Sequence, residues 1–308
     1  MQLLTIGTVA FDNIETPFGR AERVVGGAAT FIAYAASKFK VPIRLCSIIG
    51  EDFPAQEIED LKAVGVDVSG LDIVQGGKSF SWTGRYHMDM NTRDTLATEL
   101  NVLADFDPKL PEHFRDTEYV MLGNLTPSVQ GKVIDQLTNP KFIAMDTMNF
   151  WIEIAMPDLK KVLERVDMLM INEEEARQMT NEYSIRKAAR IIQAYGPKYL
   201  IIKKGEHGAL LFHGEDLFFC PALPLEDVFD PTGAGDSFAG GFMGYLARTN
   251  DLSFENMKRA VVYGSCTASF SVEKFGTERI KHVSRHDIDD RMLDFFSLIQ
   301  FDAQHHLK

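Results

Sequence analysis

At 308 residues the chain is long enough to bury a large core, as one big domain or two. Apolar residues make up 45% and charged residues 25%, the balance of a globular protein, and a net charge of −12 argues against nucleic acid as a partner. No apolar run approaches the ~20 residues of a membrane span. Met1-Gln2-Leu3-Leu4-Thr5-Ile6-Gly7 reads directly as a strand, without the basic start and apolar core of a signal peptide, so a cytoplasmic location is expected. Cys46, Cys220 and Cys266 are scattered, odd in number and without metal-ligand spacing; they read as reduced, buried thiols.

Short apolar runs alternate with amphipathic stretches along most of the chain. Residues 3–9, 43–49, 119–123, 142–146, 168–172 and 199–203 read as buried strands. Helical patterns lie between them at 30–39, 55–64, 128–137, 159–166, 173–179 and 185–195. This alternation predicts an α/β chain, a Rossmann-like three-layer sandwich with a central, mostly parallel sheet and helices on both faces. After Gly235 the pattern turns mainly helical, through 254–271 and again over 288–301, and His305-His306 reads as a solvated tail. Two polar, strand-like stretches, about 11–25 and 79–101, break the rhythm and read as a small β-lid inserted into a single domain spanning 1–308. A lid carrying Trp82 and Tyr86 is a place to cover substrate or to pair two subunits, so a homodimer through the lid is one expected assembly.

The chemistry concentrates in Asp230-Pro231-Thr232-Gly233-Ala234-Gly235-Asp236-Ser237-Phe238-Ala239-Gly240-Gly241. Gly233 and Gly235 let the backbone turn sharply and approach a ligand closely. The helix that follows begins with unpaired N–H groups and the positive end of its dipole, which together favour an anion. Asp236 then stands beside an anion hole with a carboxylate free to take a proton, as phosphoryl transfer to a hydroxyl requires.

This run closely resembles the second signature of the ribokinase-like (PfkB) carbohydrate kinase family, Asp-Thr-Thr-Gly-Ala-Gly-Asp-Ser/Thr-Phe, with Pro231 in the place of the first Thr. The resemblance extends from Gly7 to about Gly276 and implies a ribokinase-like fold with a β-lid, and an ATP-dependent kinase. It implies Asp236 as the base, with the N–H groups of Gly233, Ala234 and Gly235 holding the γ-phosphoryl oxygens. Asp12, Gly26, Gly27 and Thr30 fall where relatives bind substrate hydroxyls, although Thr30 replaces a frequent Asn. Asn172 and Glu175 match the Asn-x-x-Glu motif, with amide and carboxylate oxygens suited to Mg2+ through its retained waters. The same residues also suit the first turn of a helix.

Lys203-Lys204-Gly205-Glu206-His207-Gly208 resembles the turn near the nucleotide. Either lysine can meet phosphate, and Lys204, Gly205, Gly208 and Thr232 are assigned to ATP. Asp230 and Thr232 are assigned by resemblance to a monovalent cation, K+. Asp146-Thr147-Met148-Asn149 stands in the place of a motif whose Arg this chain lacks. A sugar is the first-choice acceptor; a nucleoside is the alternative, because Trp82 and Tyr86 suit stacking on a base. An NAD-dependent oxidoreductase needs Gly-x-Gly-x-x-Gly after the first strand, and Gly7-Thr8-Val9-Ala10-Phe11-Asp12 stands there instead. A non-catalytic binding protein would not need Asp236, the two glycines and the Asn172/Glu175 pair together.

Overall fold

Strands made almost wholly of Leu, Ile, Val and Met cannot leave either face in water, and here they do not. In the computed structural model, which describes residues 1–300, they form one large sheet covered on both sides. The chain opens with β1 (Leu3–Ile6), leaves the sheet as the hairpin β2 (Ala10–Thr16) and β3 (Gly19–Gly26), and returns through α1 (Ala28–Ser37) to β4 (Ile43–Gly50). Helix α2 (Ala55–Ala63) leads to β5 (Val66–Val74), then to a second hairpin, β6 (Phe80–Tyr86) and β7 (Arg93–Glu99), and to β8 (Tyr119–Leu122). Next come α3 (Pro127–Gln136), β9 (Phe142–Asp146), α4 (Asn149–Ile154), α5 (Met156–Leu163), β10 (Met168–Asn172), α6 (Glu173–Thr180) and α7 (Ile185–Gln193). The strands β11 (Tyr199–Lys203), β12 (Ala209–His213) and β13 (Asp216–Cys220) precede four helices, α8 (Ala234–Thr249), α9 (Phe254–Ser271), α10 (Glu278–His282) and α11 (Arg285–Ile299).

The nine-stranded sheet runs in the order β13-β12-β11-β10-β9-β8-β1-β4-β5 and is parallel except at the β12–β13 end. The two hairpins leave it to form a separate four-stranded sheet, β3-β2-β6-β7, the expected lid. Strand residues alternate between two cores. One contains Met168, Met170 and Ile201 with Phe238 and Phe242 of α8; the other contains Leu169, Ile171, Leu200 and Ile202 with Leu159 and Val162 of α5.

The expected strands at 142–146, 168–172 and 199–203 and the helix at 254–271 lie where the pattern placed them. The first helix begins at Ala28 rather than residue 30, because Gly27, at φ 89°, caps it while Ala28 and Ala29 donate to Thr8 Oγ1 and the Thr8 carbonyl. Strand β5 was not expected: it is an edge strand with Asp67, Ser69 and Asp72 along it, so it shows no apolar run. The hairpin β12–β13 was also missed, its outer strand leaving Leu217 and Phe219 exposed. His305, His306 and the last residue of the expected helix 288–301 lie outside the described residues.

Three glycines let α8 come close to its neighbours. A Cβ on Gly240 would overlap the carbonyl of Ile32 in α1, one on Gly244 would lie 2.8 Å from the Phe39 ring, and one on Gly241 would overlap Thr267 of α9. Replacing Gly240 by Ala therefore forces α1 and α8 apart. We expect a loss of about 1–3 kcal/mol, read as a lower urea midpoint at unchanged slope; an unchanged midpoint would show that the contact is soft.

Candidate active site

Helix α8 delivers its first turn to the C-terminal ends of the central strands. Gly233, its cap, has φ 73°, and a Cβ there would overlap the Phe31 ring of α1. Only glycine allows the turn at that distance. The N–H of Ala234 closes onto the Pro231 carbonyl at 3.2 Å, while among the described residues no backbone carbonyl accepts from Gly233 or Gly235. Those two groups are therefore left to meet an anion at the positive end of the helix.

Beneath this turn the sheet presents a row of polar ends. Asp146, Asn172 and Lys203 close β9, β10 and β11, and by strand alternation all three lie on the α8 face. Asn172 pairs in register with Lys203. The Lys203 ammonium lies only 2.7 Å from where a Gly235 Cβ would be. Around it stand three carboxyl groups, those of Asp146, Glu175 and Asp236. Burial raises the Asp146 carboxyl well above its usual range, and the Asp236 charge adds to this, against the pull of Lys203. Burial raises Asp236 and Glu175 too, each opposed first by Lys203. One ammonium thus serves three carboxyls withdrawn from water.

Asp12 approaches from the lid side. It is buried in β2, and a Cβ on Gly26 would overlap its carboxylate, so the first glycine of the pair exists to let that carboxylate lie against backbone. Burial, reinforced by the charges of Asp230 and Asp236 and opposed by the Gly27 N–H, pushes its carboxyl up to about 8. Trp82 of β6 is its register partner, so the two residues share one face of the lid; the indole lies over Gly84 and donates to Thr95 Oγ1 of β7 at 3.2 Å.

Residues 6–282 match the pfkB family of carbohydrate kinases. The chain belongs to that family. Its members transfer a phosphoryl group to a hydroxyl of a sugar or nucleoside. A cytidine kinase of Thermococcus kodakarensis is 33% identical over 258 residues, covering 82% of this chain and 91% of the relative. A nucleoside kinase of Burkholderia thailandensis, solved with inosine, superposes at a TM-score of 0.75 with 20% identity, over 96% of this chain and 99% of that one. A ribokinase II of E. coli, solved with ATP and Mg2+, does so at 0.77 with 20% identity and the same coverage, 96% and 99%.

In this pfkB kinase the other expected site residues divide into those at the cluster and those beside it. Asn172 and Glu175 form a capping box at the start of α6: the Asn172 side chain accepts from the Glu175 N–H at 2.7 Å, and Glu175 accepts from the Asn172 N–H at 2.8 Å. Glu175 nevertheless stays buried next to Lys203. Among the described residues no group of three or more His, Cys, Asp or Glu could hold a metal ion unaided. Among the buried oxygens without a hydrogen-bond partner are Asp146 Oδ1 beside the cluster and Thr30 Oγ1 in the first turn of α1. Such atoms fit a site completed by a ligand and its hydrated cation.

Asp230 is fully buried and holds the approach to α8, accepting from the N–H groups of Thr232 and Gly276 at 2.8 Å each. Burial brings its carboxyl up to about 6 against those two donors. Thr232 donates through Oγ1 to the Tyr86 hydroxyl of the lid at 3.2 Å. Lys204, the lysine assigned to ATP, instead faces Glu173 at 3.7 Å, and its backbone N–H closes the Gly205–Gly208 turn onto the Gly208 carbonyl at 2.8 Å. The lysine that reaches the start of α8 is Lys203. Its signal was available in strand alternation, since Ile201 and Lys203 share the face that α8 covers. A polar cavity of about 410 Å³, lined by Phe11, Asn13, Arg23, Asp52 and Ser79 among others, lies on the far face of the lid and includes none of these groups.

Two outcomes follow from the charges. A carboxyl at about 8 in the fold and 3.8 unfolded contributes most favourably below pH 3.8, and that contribution is lost as pH rises to about 8. Asp12→Asn should therefore gain stability relative to the parent between pH 5 and pH 8 in urea titrations, and a gap that stays constant would contradict the burial argument. Removing the counter-ion with Lys203→Met should destabilise by on the order of 3 kcal/mol at pH 8 and by less at pH 5, where the raised carboxyls can take protons; equal losses at both would show that Lys203 does not hold them.

Proposed function

We propose that the protein is an ATP-dependent nucleoside kinase. The observation that carries this reading is the pairing of Asp12 with Trp82: a hydroxyl-binding carboxylate and an indole occupy neighbouring positions on the face of the lid that Asp12 turns toward Asp236. A ribose hydroxyl held by Asp12 leaves the attached base beside the ring, where stacking contributes about 1–3 kcal/mol. The likeness to a cytidine kinase at 33% identity supports the same choice, and it moves the acceptor from the sugar expected first to a sugar that carries a base. Tyr86, the other aromatic residue expected to stack, is buried and bonded to Thr232, which leaves the role to Trp82.

In this reading the acceptor hydroxyl lies between Asp12 and Asp236. Asp236 orients the hydroxyl and accepts its proton as the oxygen attacks; its raised affinity for a proton suits it to that step. The free N–H groups of Gly233 and Gly235, with Lys203, meet the oxygens of the transferring group. Glu175 and Asp146 would hold Mg2+ through its waters, with Asn172 completing the corner, and the ion would supply charge neutralisation of the triphosphate. A monovalent cation at Asp230 stays part of this proposal, next to the turn that Asp230 builds.

The test is ATP consumption with Mg2+ against cytidine, uridine, adenosine, inosine and free ribose. We expect a nucleoside to exceed ribose in kcat/KM. Trp82→Ala should remove most of that advantage, about 10- to 100-fold, and leave the rate on ribose unchanged. Asp236→Asn should lower kcat by roughly 10²-fold or more on every acceptor. Ribose as the preferred acceptor, insensitive to Trp82, would return the assignment to a sugar kinase.

A further inference from the structure

One carboxylate just after β4 bonds to both lid hairpins. It belongs to Asp52. Its Oδ1 accepts from the Ser79 N–H at 2.7 Å and from the Ser79 hydroxyl at 2.8 Å, one residue before β6 begins. Its Oδ2 and its backbone carbonyl accept from one guanidinium nitrogen of Arg23 in β3, at 3.0 and 3.1 Å. Burial works to raise the Asp52 carboxyl, but Ser79 and Arg23 together hold it below its usual range, so it stays ionised. The Gly50 N–H donates to Ser79 Oγ at 3.0 Å, which seats the entry to the second hairpin on the end of β4.

Arg23 reaches that carboxylate from an unusual backbone. The pairing of β2 with β3 shifts register between Asp12 and Ile14, and Arg23 lies in the resulting irregularity at φ 52°, a left-handed conformation that few residues other than glycine adopt. Asn13 holds it there: its Oδ1 accepts the Arg23 N–H at 2.8 Å, while its Nδ2 donates to Thr83 Oγ1 of β6 at 3.1 Å. The guanidinium lies 3.8 Å from the centre of the Phe11 ring, and Phe11 packs on Phe53, the neighbour of Asp52, with ring centres 5.3 Å apart. This irregularity abuts Asp12, whose register partner is Val24. Ser79, at the other side of the join, is three residues before Trp82.

A strained backbone that aims one side chain at one carboxylate is kept only where the surrounding structure enforces it. We propose that Asp52 is a positioning residue for the acceptor: by holding Arg23 of the first hairpin and Ser79 of the second, it fixes the spacing of Asp12 and Trp82. The Arg23 side chain is 57% exposed, so its ion pair with Asp52 adds little to stability. What the pair supplies is geometry. The polar cavity beside Arg23, Asp52 and Ser79 leaves the join without apolar packing on that side, so the hydrogen bonds of Asp52 set the relative position of the hairpins. A shift of about 1 Å in a substrate-positioning group can cost about 10²-fold in rate. The effect of Asp52 therefore falls on the acceptor, which Asp12 and Trp82 would hold between the hairpins, and not on the nucleotide at the start of α8.

The inference rests on the acceptor reading above, and the experiment separates the two. Asp52→Ala, Arg23→Met and the double variant are compared with the parent on its best acceptor, with melting curves to confirm folding. Asp52→Ala should raise the acceptor KM by about 10-fold or more and leave the ATP KM within about twofold, a split that a general loosening of the fold would not produce. Arg23→Met should show part of the same rise, and the double variant should be no worse than Asp52→Ala, because the two residues act as one unit. An unchanged acceptor KM, equal rises in both KM values, or losses that add in the double variant would each overturn the proposal. Should Asp52→Ala fail to fold, Arg23→Met decides by the same split. A parent inactive on every acceptor would instead overturn the kinase reading. Asp52 is then judged by hydrogen exchange in Asp52→Ala or, failing that, Arg23→Met: amides of residues 10–26 and 79–86 should exchange faster than in the parent while those of 168–172 and 199–203 do not, and parental rates in either hairpin would reject it.

Discussion

Everything at this site depends on one ammonium group shared by three carboxyls. Asp146, Glu175 and Asp236 are withdrawn from water around Lys203, and none of them could stay near ionisation there without it. The arrangement exists because parallel strands end together. β9, β10 and β11 bring their last residues to one edge, and alternation turns Asp146, Asn172 and Lys203 to the face that receives α8. Carboxyls whose affinity for protons is raised by burial and restrained by a nearby cation are poised to exchange a proton. Fully solvated carboxylates would be weaker bases.

Bringing α8 to that edge is a packing problem, and the chain solves it with missing side chains. Gly240, Gly241 and Gly244 let α8 sink between α1 and α9, and Gly233 lets the turn lie on the Phe31 ring. Asp230 fixes the approach by bonding backbone on both sides, at Thr232 and at Gly276 near the end of the fold. Glycines along Asp230–Gly244 thus serve two purposes that look alike in sequence. Gly233 and Gly235 leave room for the Phe31 ring and the Lys203 ammonium at the turn, and Gly240, Gly241 and Gly244 leave room for helices.

The parts of the site that could be read from sequence are those set by local chain geometry. Asp236, the two glycines of the turn and the paired Gly26 and Gly27 stand out because their residue types answer to φ, to a helix start or to close backbone approach. The strands were legible where burial on both faces leaves an uninterrupted apolar run, as in 168–172, and illegible at the edges, where β5 and β13 face water. The choice between Lys203 and Lys204 needed knowledge of which face of β11 meets α8, a tertiary fact. Asn172 and Glu175 show the converse. Their spacing is explained in full by a capping box, so the motif alone could not say what else they do.

A chain of net charge −12 that handles a triphosphate must supply positive potential locally. Its sources are Lys203 on the sheet and the free N–H groups at the start of α8. The lid carries Asp12 and Trp82, the residues that would hold the acceptor. Were the lid to open, a bound nucleotide would face water without Asp12 to position an acceptor. Closure over an acceptor would remove water and position the hydroxyl together, so that specificity for the acceptor becomes specificity in the rate of transfer.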